Sequence, residues 1–153
     1  MPYNDLRKGR VSVAGQVYFL TTVTWRRARW FEDFELGRRV AGVVHGLADE
    51  YPGLSLAWVI MPDHVHWLVQ LPGDLPLKRL MQAFKGRSAR ALNHALGRSG
   101  PAWQPGFHDH ALRQDDDIQN AARYLIGNPL RAGLVERVGD YPLWDAVWVG
   151  MSD

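Results

Sequence analysis

Two histidines separated by one residue, His64 and His66, sit in the run Ile60-Met61-Pro62-Asp63-His64-Val65-His66-Trp67-Leu68-Val69. Side chains of a β-strand alternate between faces, so residues i and i+2 project side by side. Two imidazoles held in that way form a partly built chelate for a divalent metal ion. Later in the chain Asn120, Tyr124 and Asn128 recur at intervals of four. That spacing puts an amide, a phenol and a second amide on one stripe of a helix. Each half has a plainer reading alone: strand histidines are often simply hydrogen-bonded, and a tyrosine one turn before an asparagine can be ring packing beside a helix cap. Together they supply two imidazoles, an amide oxygen and a phenol, the parts of a metal-assisted nucleophilic displacement.

Such a set works only if strands and helices bring it together. Gln16 to Trp25 is rich in β-branched and aromatic residues and predicts a buried strand. Phe34 to Tyr51 carries Leu36, Val40, Val43, Val44 and Leu47 at helical spacing and ends at Pro52-Gly53. Leu54 to Met61 and His64 to Leu71 predict two strands joined by the short turn Pro62-Asp63. Trp67 should then face away from the histidines. Leu77 to Leu96 predicts a long amphipathic helix with Leu77, Leu80, Met81, Phe84, Ala91, Leu92, Ala95 and Leu96 as its apolar stripe. Trp103 to Arg113 predicts an irregular strand. Asp116 to Gly127 predicts a last helix, with Asp116 as N-cap, Gln119 completing a capping box, and the pre-proline residue Asn128 closing it. The order of elements is βαββαβ plus one appended helix, an α+β fold of the ferredoxin-like arrangement with an antiparallel sheet. The stretch from about Asp140 onward suggests no role.

The 153 residues suit one domain spanning 1–153, and 46% apolar with 22% charged residues matches an ordinary globular chain. Cysteine is absent, which excludes disulfides, thiol catalysis and cysteine-based zinc sites. Without an apolar leader or a run approaching the ~20 apolar residues of a membrane span, the expected location is cytoplasmic. The net charge of +2 conceals a block pattern: residues 1–31 carry +5, 32–77 carry −5, 78–98 carry +6 and 99–153 carry −4. Concentrated positive charge points to a polyanion, and arginine outnumbers lysine fifteen to three, a bias suited to phosphate and to base stacking. Arg26, Arg27, Lys85, Arg87 and Arg90 are the candidate DNA contacts, with Trp25 and Trp30 as candidate stacking platforms.

Three segments in order resemble the REP-associated tyrosine transposases, a branch of the single-tyrosine HUH nucleases. They are Met61 to His66, Trp103-Gln104 through His108-Asp109-His110-Ala111-Leu112-Arg113, and Tyr124 to Val135 with its Tyr-x-x-x-Asn-Pro core. The resemblance runs from about Tyr18 to Tyr141 and implies a ferredoxin-like catalytic domain acting on single-stranded DNA at palindromic hairpin repeats. It implies that His64, His66 and Asn128 are ligands of a divalent metal, Mg²⁺ or Mn²⁺, and that Tyr124 is the nucleophile. Attack would leave a 5′-phosphotyrosine and a free 3′-hydroxyl. The resemblance leaves monomer or homodimer open for this chain, since related insertion-sequence transposases act as dimers and the REP-associated branch can act as monomers, and it implies no nucleotide cofactor. A histidine-triad hydrolase would need a third alternating histidine where Leu68 stands, and a His-x-His-x-Asp-His metallo-hydrolase fails at Leu68-Val69. A non-catalytic nucleic-acid-binding module of the same fold is the alternative, although it has no need of Tyr124 and His66 together. His108 and His110 are expected to be structural or to face the substrate.

Overall fold

β1 (Val17–Val23) shows why its residue types were chosen. Tyr18, Leu20 and Thr22 are buried, while Phe19, Thr21 and Val23 on the other face are only half-buried. The computed structural model describes residues 15–113 and 115–148, except for the side chain of Asp116. Arg7, Lys8 and Arg10 of the first basic block therefore lie outside the described residues, as does the capping role expected of the Asp116 side chain.

A 3₁₀ turn over Trp25–Arg27 and another over Trp30–Glu32 lead into α1 (Phe34–Glu50), where the Asp33 carboxylate caps the first turn by accepting from the Glu35 N–H at 2.9 Å. β2 (Ser55–Met61) and β3 (His64–Gln70) form the expected hairpin across Pro62-Asp63. α2 (Leu77–Leu96) ends at Gly97, whose φ of 62° gives the left-handed turn that closes a helix. β4 (His108–Leu112) follows an isolated bridge between Thr24 and Trp103. The chain closes with α3 (Asp115–Ile126), α4 (Asn128–Arg131) and β5 (Trp144–Ala146).

The strands pair antiparallel in the order β4-β1-β3-β2-β5. The first four reproduce the ferredoxin-like order expected of βαββαβ. β5 is an addition at the β2 edge, in a stretch whose sequence suggested no role. It is anchored by Tyr141, whose hydroxyl donates to the Ile60 carbonyl and whose burial pushes its pKa up to about 12. The added strand covers what would otherwise be an open edge of a largely buried strand.

α1 and α2 pack on each other and cover one face of the sheet. Trp67 points into that face, its ring tilted against Phe84 at 5.4 Å between ring centroids. Phe84 in turn meets Trp103, and Trp103 meets Phe31. Trp67 thus faces away from the histidines, as expected. The stripe of α2 departs from expectation at its end: Ala95 and Leu96 are exposed, whereas Ser88 is fully buried. Ser88 tolerates burial because its hydroxyl donates to the Phe84 carbonyl at 2.6 Å and accepts the Trp103 indole N–H at 2.9 Å. Ser88→Ala leaves that indole donor unsatisfied, and a loss of about 1–3 kcal/mol is expected. Urea unfolding checks it; an unchanged midpoint would mean that another acceptor replaces Ser88.

α3 and α4 lie on the opposite face of the sheet, with Ala122 and Leu125 buried. α3 begins at Asp115, so Asp116 lies inside the first turn rather than at the N-cap. The expected stop at Asn128 is also corrected. Gly127 keeps a helical conformation (φ −78°, ψ −3°), Asn128 opens α4, and Pro129 sits in its first turn. There a missing N–H costs nothing, because the first-turn donors have no helical acceptor. The pre-proline preference is outweighed by continuation of the helical path.

Candidate active site

His64 and His66 project from β3 toward α3, with their ring centroids 4.8 Å apart. Each imidazole is oriented through its Nδ1. The His64 Nδ1 pairs with the Asp63 carboxylate at 2.7 Å, and the His66 Nδ1 with the Thr21 hydroxyl at 2.8 Å. Thr21 is the cross-strand partner of His66 on β1, so strand register alone brings them together. Both Nε2 atoms are left for a ligand, and carboxylate or hydroxyl support of the other ring nitrogen is the usual second layer of a metal site.

The electrostatics keep one donor ready. Burial, then the neighbouring charges of His64 and Arg131, lower the His66 pKa to about 3. The ring is therefore neutral at physiological pH and its lone pair is available. Burial would raise the Asp63 carboxyl, but hydrogen bonds and charges from His64 and Arg27 outweigh it and hold it below the usual range. Asp63 stays an acceptor. It also ties the Arg27 guanidinium to the hairpin turn at 3.2 Å.

Tyr124 lies near the end of α3 and is 56% exposed. Its ring meets Phe19 edge-on at 6.3 Å, and Phe19 meets His66 at 5.1 Å. A single aromatic side chain of β1 thus bridges the helix that carries the phenol and the strand that carries the imidazoles. Asn128 follows one turn later, half-buried at the head of α4. Between them Gly127, in a turn with φ −78° and ψ −3°, separates the end of α3 from the start of α4. Asn120, the third residue of the expected stripe, is exposed and accepts from Arg123 at 3.3 Å. Among the described residues no three His, Cys, Asp or Glu side chains converge as a metal site.

The family described as "Transposase IS200 like" matches residues 12–128. A REP-associated tyrosine transposase of Haemophilus influenzae is 32% identical over 139 residues, covering 84% of this chain and 78% of that one. This chain belongs to the REP-associated tyrosine transposases. A further relative, the REP-associated tyrosine transposase of Escherichia coli K12, is 34% identical over 87 residues, spanning 56% of this chain and only 50% of that protein. Among solved structures, a REP-associated tyrosine transposase bound to a REP hairpin superposes with a TM-score of 0.70 at 25% identity, covering 88% of this chain and 79% of that one.

In this transposase the candidate basic residues separate into two groups. Arg26 and Arg27 lie beside the histidine hairpin, in a turn held there by Thr24, which hydrogen-bonds the Asp63 carbonyl through both its N–H (3.0 Å) and its hydroxyl (3.0 Å). Both arginines adopt positive φ, 54° and 53°, a conformation that non-glycine residues rarely hold without support. Lys85, Arg87 and Arg90 belong to α2, on the far side of the sheet from His66. Lys85 donates to the Gln104 and Gly106 carbonyls at 2.8 and 2.7 Å, bracing the loop before β4. Arg87 forms a two-pronged pair with Glu50 at 2.7 and 3.3 Å, which raises the arginine and lowers the glutamate. Arg90 is exposed. Of the candidate stacking residues, Trp25 lies under Arg26 at 5.7 Å and Trp30 under Arg98 at 4.9 Å. His108 and His110 are cross-strand partners of Thr21 and Phe19, so both occupy the sheet face of His66, and both are exposed.

Sequence reasoning overlooked Thr21, Phe19, Asp63 and Arg131. Asp63 directly precedes His64 and was legible as its partner. Thr21 and Phe19 emerge only once β1 is registered against β3. Arg131 lies seven residues after Tyr124, two helical turns on, and its guanidinium stands over the Tyr124 ring at 3.9 Å. Among the described residues no helix is long and apolar enough to cross a membrane.

Proposed function

We propose that this transposase is a divalent-metal-dependent, single-stranded DNA endonuclease and strand transferase that cuts at palindromic hairpin repeats through Tyr124. The observation that carries the reading is the Tyr124–Phe19–His66 contact chain. It links an accessible phenol, through one aromatic ring, to the strand that carries two imidazoles whose Nδ1 atoms are already partnered. The hairpin-bound relative supports DNA of that form as the substrate.

The residues fit a metal: neutral His66, carboxylate-supported His64 and the amide of Asn128 would hold it, leaving positions for substrate. Bound Mg²⁺ or Mn²⁺ would supply Lewis-acid polarisation of a non-bridging oxygen of the scissile phosphate. The remaining steps belong to the chain. The Tyr124 phenolic oxygen attacks phosphorus, the bond from phosphorus to the 3′-oxygen breaks, and the phenolic proton ends on the released 3′-hydroxyl. The new 5′-phosphotyrosine ester keeps the bond energy, so a second 3′-hydroxyl can reverse the step and join strands without ATP. Arg26 and Arg27, pinned beside the hairpin turn, would hold flanking phosphates. Arg90 is the α2 residue left for longer-range attraction, since Lys85 and Arg87 are committed to the fold. Such work belongs in the cytoplasm, and residues 1–153 would act as one catalytic unit.

The test is incubation of the protein with Mg²⁺ or Mn²⁺ and single-stranded repeat DNA. A protein–DNA band that survives denaturing electrophoresis is the expected outcome. Binding that falls steeply with salt, but with no adduct under either ion, would instead establish the non-catalytic module.

A further inference from the structure

We propose that Arg131 is a positioning residue for Tyr124, seated in a gap that Gly127 leaves open. The proposal rests on the reading of Tyr124 as the nucleophile. The Arg131 guanidinium carbon lies 3.9 Å from the centre of the phenol ring, covering one face. Its Nη2 also donates to the Tyr124 backbone carbonyl. Phe19 meets the same ring edge-on. The phenol is thus held between a cation from α4 and an aromatic edge from β1. An exposed tyrosine on a helix otherwise has more than one staggered rotamer open to it.

Gly127 explains how the arginine reaches back over two turns. Its φ of −78° and ψ of −3° lie on the right-handed side, in a turn conformation open to any residue. The absence of a side chain therefore serves space rather than conformation. A Cβ at position 127 would lie 2.9 Å from the Arg131 Nη1 and 3.2 Å from the Arg123 carbonyl. An alanine there would require the Nη1 end of the guanidinium to shift, and the Arg123 carbonyl to give slightly. Holding a nucleophile in its attacking geometry is a large term in rate, and misplacement by about 1 Å can cost about 10²-fold.

The roles of positioning and of phosphate grip separate by experiment. Adduct formation is followed in single turnovers at saturating hairpin DNA with Mn²⁺, and hairpin affinity is measured separately without metal. The proteins are the full chain, Arg131→Ala, Arg131→Lys, Gly127→Ala and the double variant. Arg131→Ala should slow adduct formation about 10–100-fold with hairpin affinity unchanged. Arg131→Lys should recover little, because one ammonium cannot both lie flat on a ring and reach the carbonyl. Gly127→Ala should slow the step, and its thermal stability is measured in parallel to separate a shifted guanidinium from crowding at the Arg123 carbonyl. In the Arg131→Ala background it should add nothing, the mark of two changes acting through one contact. Wild-type rate in Arg131→Ala overturns the proposal. So does weakened hairpin affinity with an unchanged saturated rate, which would make Arg131 a phosphate contact. An additive effect of Gly127→Ala also overturns it. Absence of an adduct with the unsubstituted protein removes the nucleophile reading itself, a failure distinct from all of these.

Discussion

Tyr124→Phe should abolish the covalent protein–DNA adduct while leaving hairpin binding and stability almost untouched. The substitution removes one oxygen and nothing else from the site. The phenylalanine ring can keep its edge contact with Phe19 and its face against Arg131. The helix propensities of the two residues are nearly equal, and exposed substitutions of this kind usually change stability by no more than about 0.5 kcal/mol. Affinity for a single-stranded hairpin comes mainly from phosphate neutralisation, to which a neutral phenol contributes little. Loss of the adduct with retained binding would therefore isolate the chemistry. An undiminished adduct would mean that another side chain attacks, and would sink the assignment.

Much of this arrangement was legible because periodicity and turn chemistry are local. The alternation of β1, the Pro62-Asp63 turn and the spacing in α1 and in α2 as far as Leu92 each depend on neighbours within a few residues, and all reappear in the fold. Tyr124 and Asn128 do not share one regular helix, because α3 ends at Ile126 and α4 begins at Asn128 across a turn at Gly127. What escaped depends on distant partners. β5 is three residues long without alternation, and it becomes a strand only because β2 offers it an edge. Ser88 reads as a break in an apolar stripe until Trp103 arrives to use its hydroxyl. Lys85 and Arg87 look like free charges until Gln104, Gly106 and Glu50 fold onto them.

The candidate site divides along the same line. Its reactive residues belong to short motifs, whereas the residues that orient them are set by register. Thr21 is 45 positions from His66, and Phe19 is farther still from Tyr124. Those orienting contacts turn a pair of motifs into a geometry. They also give the histidines different surroundings, with a carboxylate behind His64 and a hydroxyl behind His66.

Replacing His66 should therefore have two measurable consequences. His66→Ala, like His64→Ala, should remove divalent-dependent cleavage, with a loss exceeding the ~10–100-fold typical of an outer-layer partner. Normal cutting by both variants would refute the metal site. The second consequence concerns pH and is read without metal, in the presence of a chelator. Folding lowers the His66 pKa from 6.5 to about 3, with burial the main cause. Between those values the unfolded chain takes up a proton that the folded chain refuses, so stability falls as pH drops through that window. The slope from this one group reaches at most about 1.4 kcal/mol per pH unit, and the contribution is fully present above the unfolded value. His66→Gln carries no proton in either state and should flatten that part of the profile. Urea midpoints measured from pH 7 down to pH 4 separate the cases. An equally steep profile in His66→Gln would show that the neutral imidazole is not the group that acid attacks.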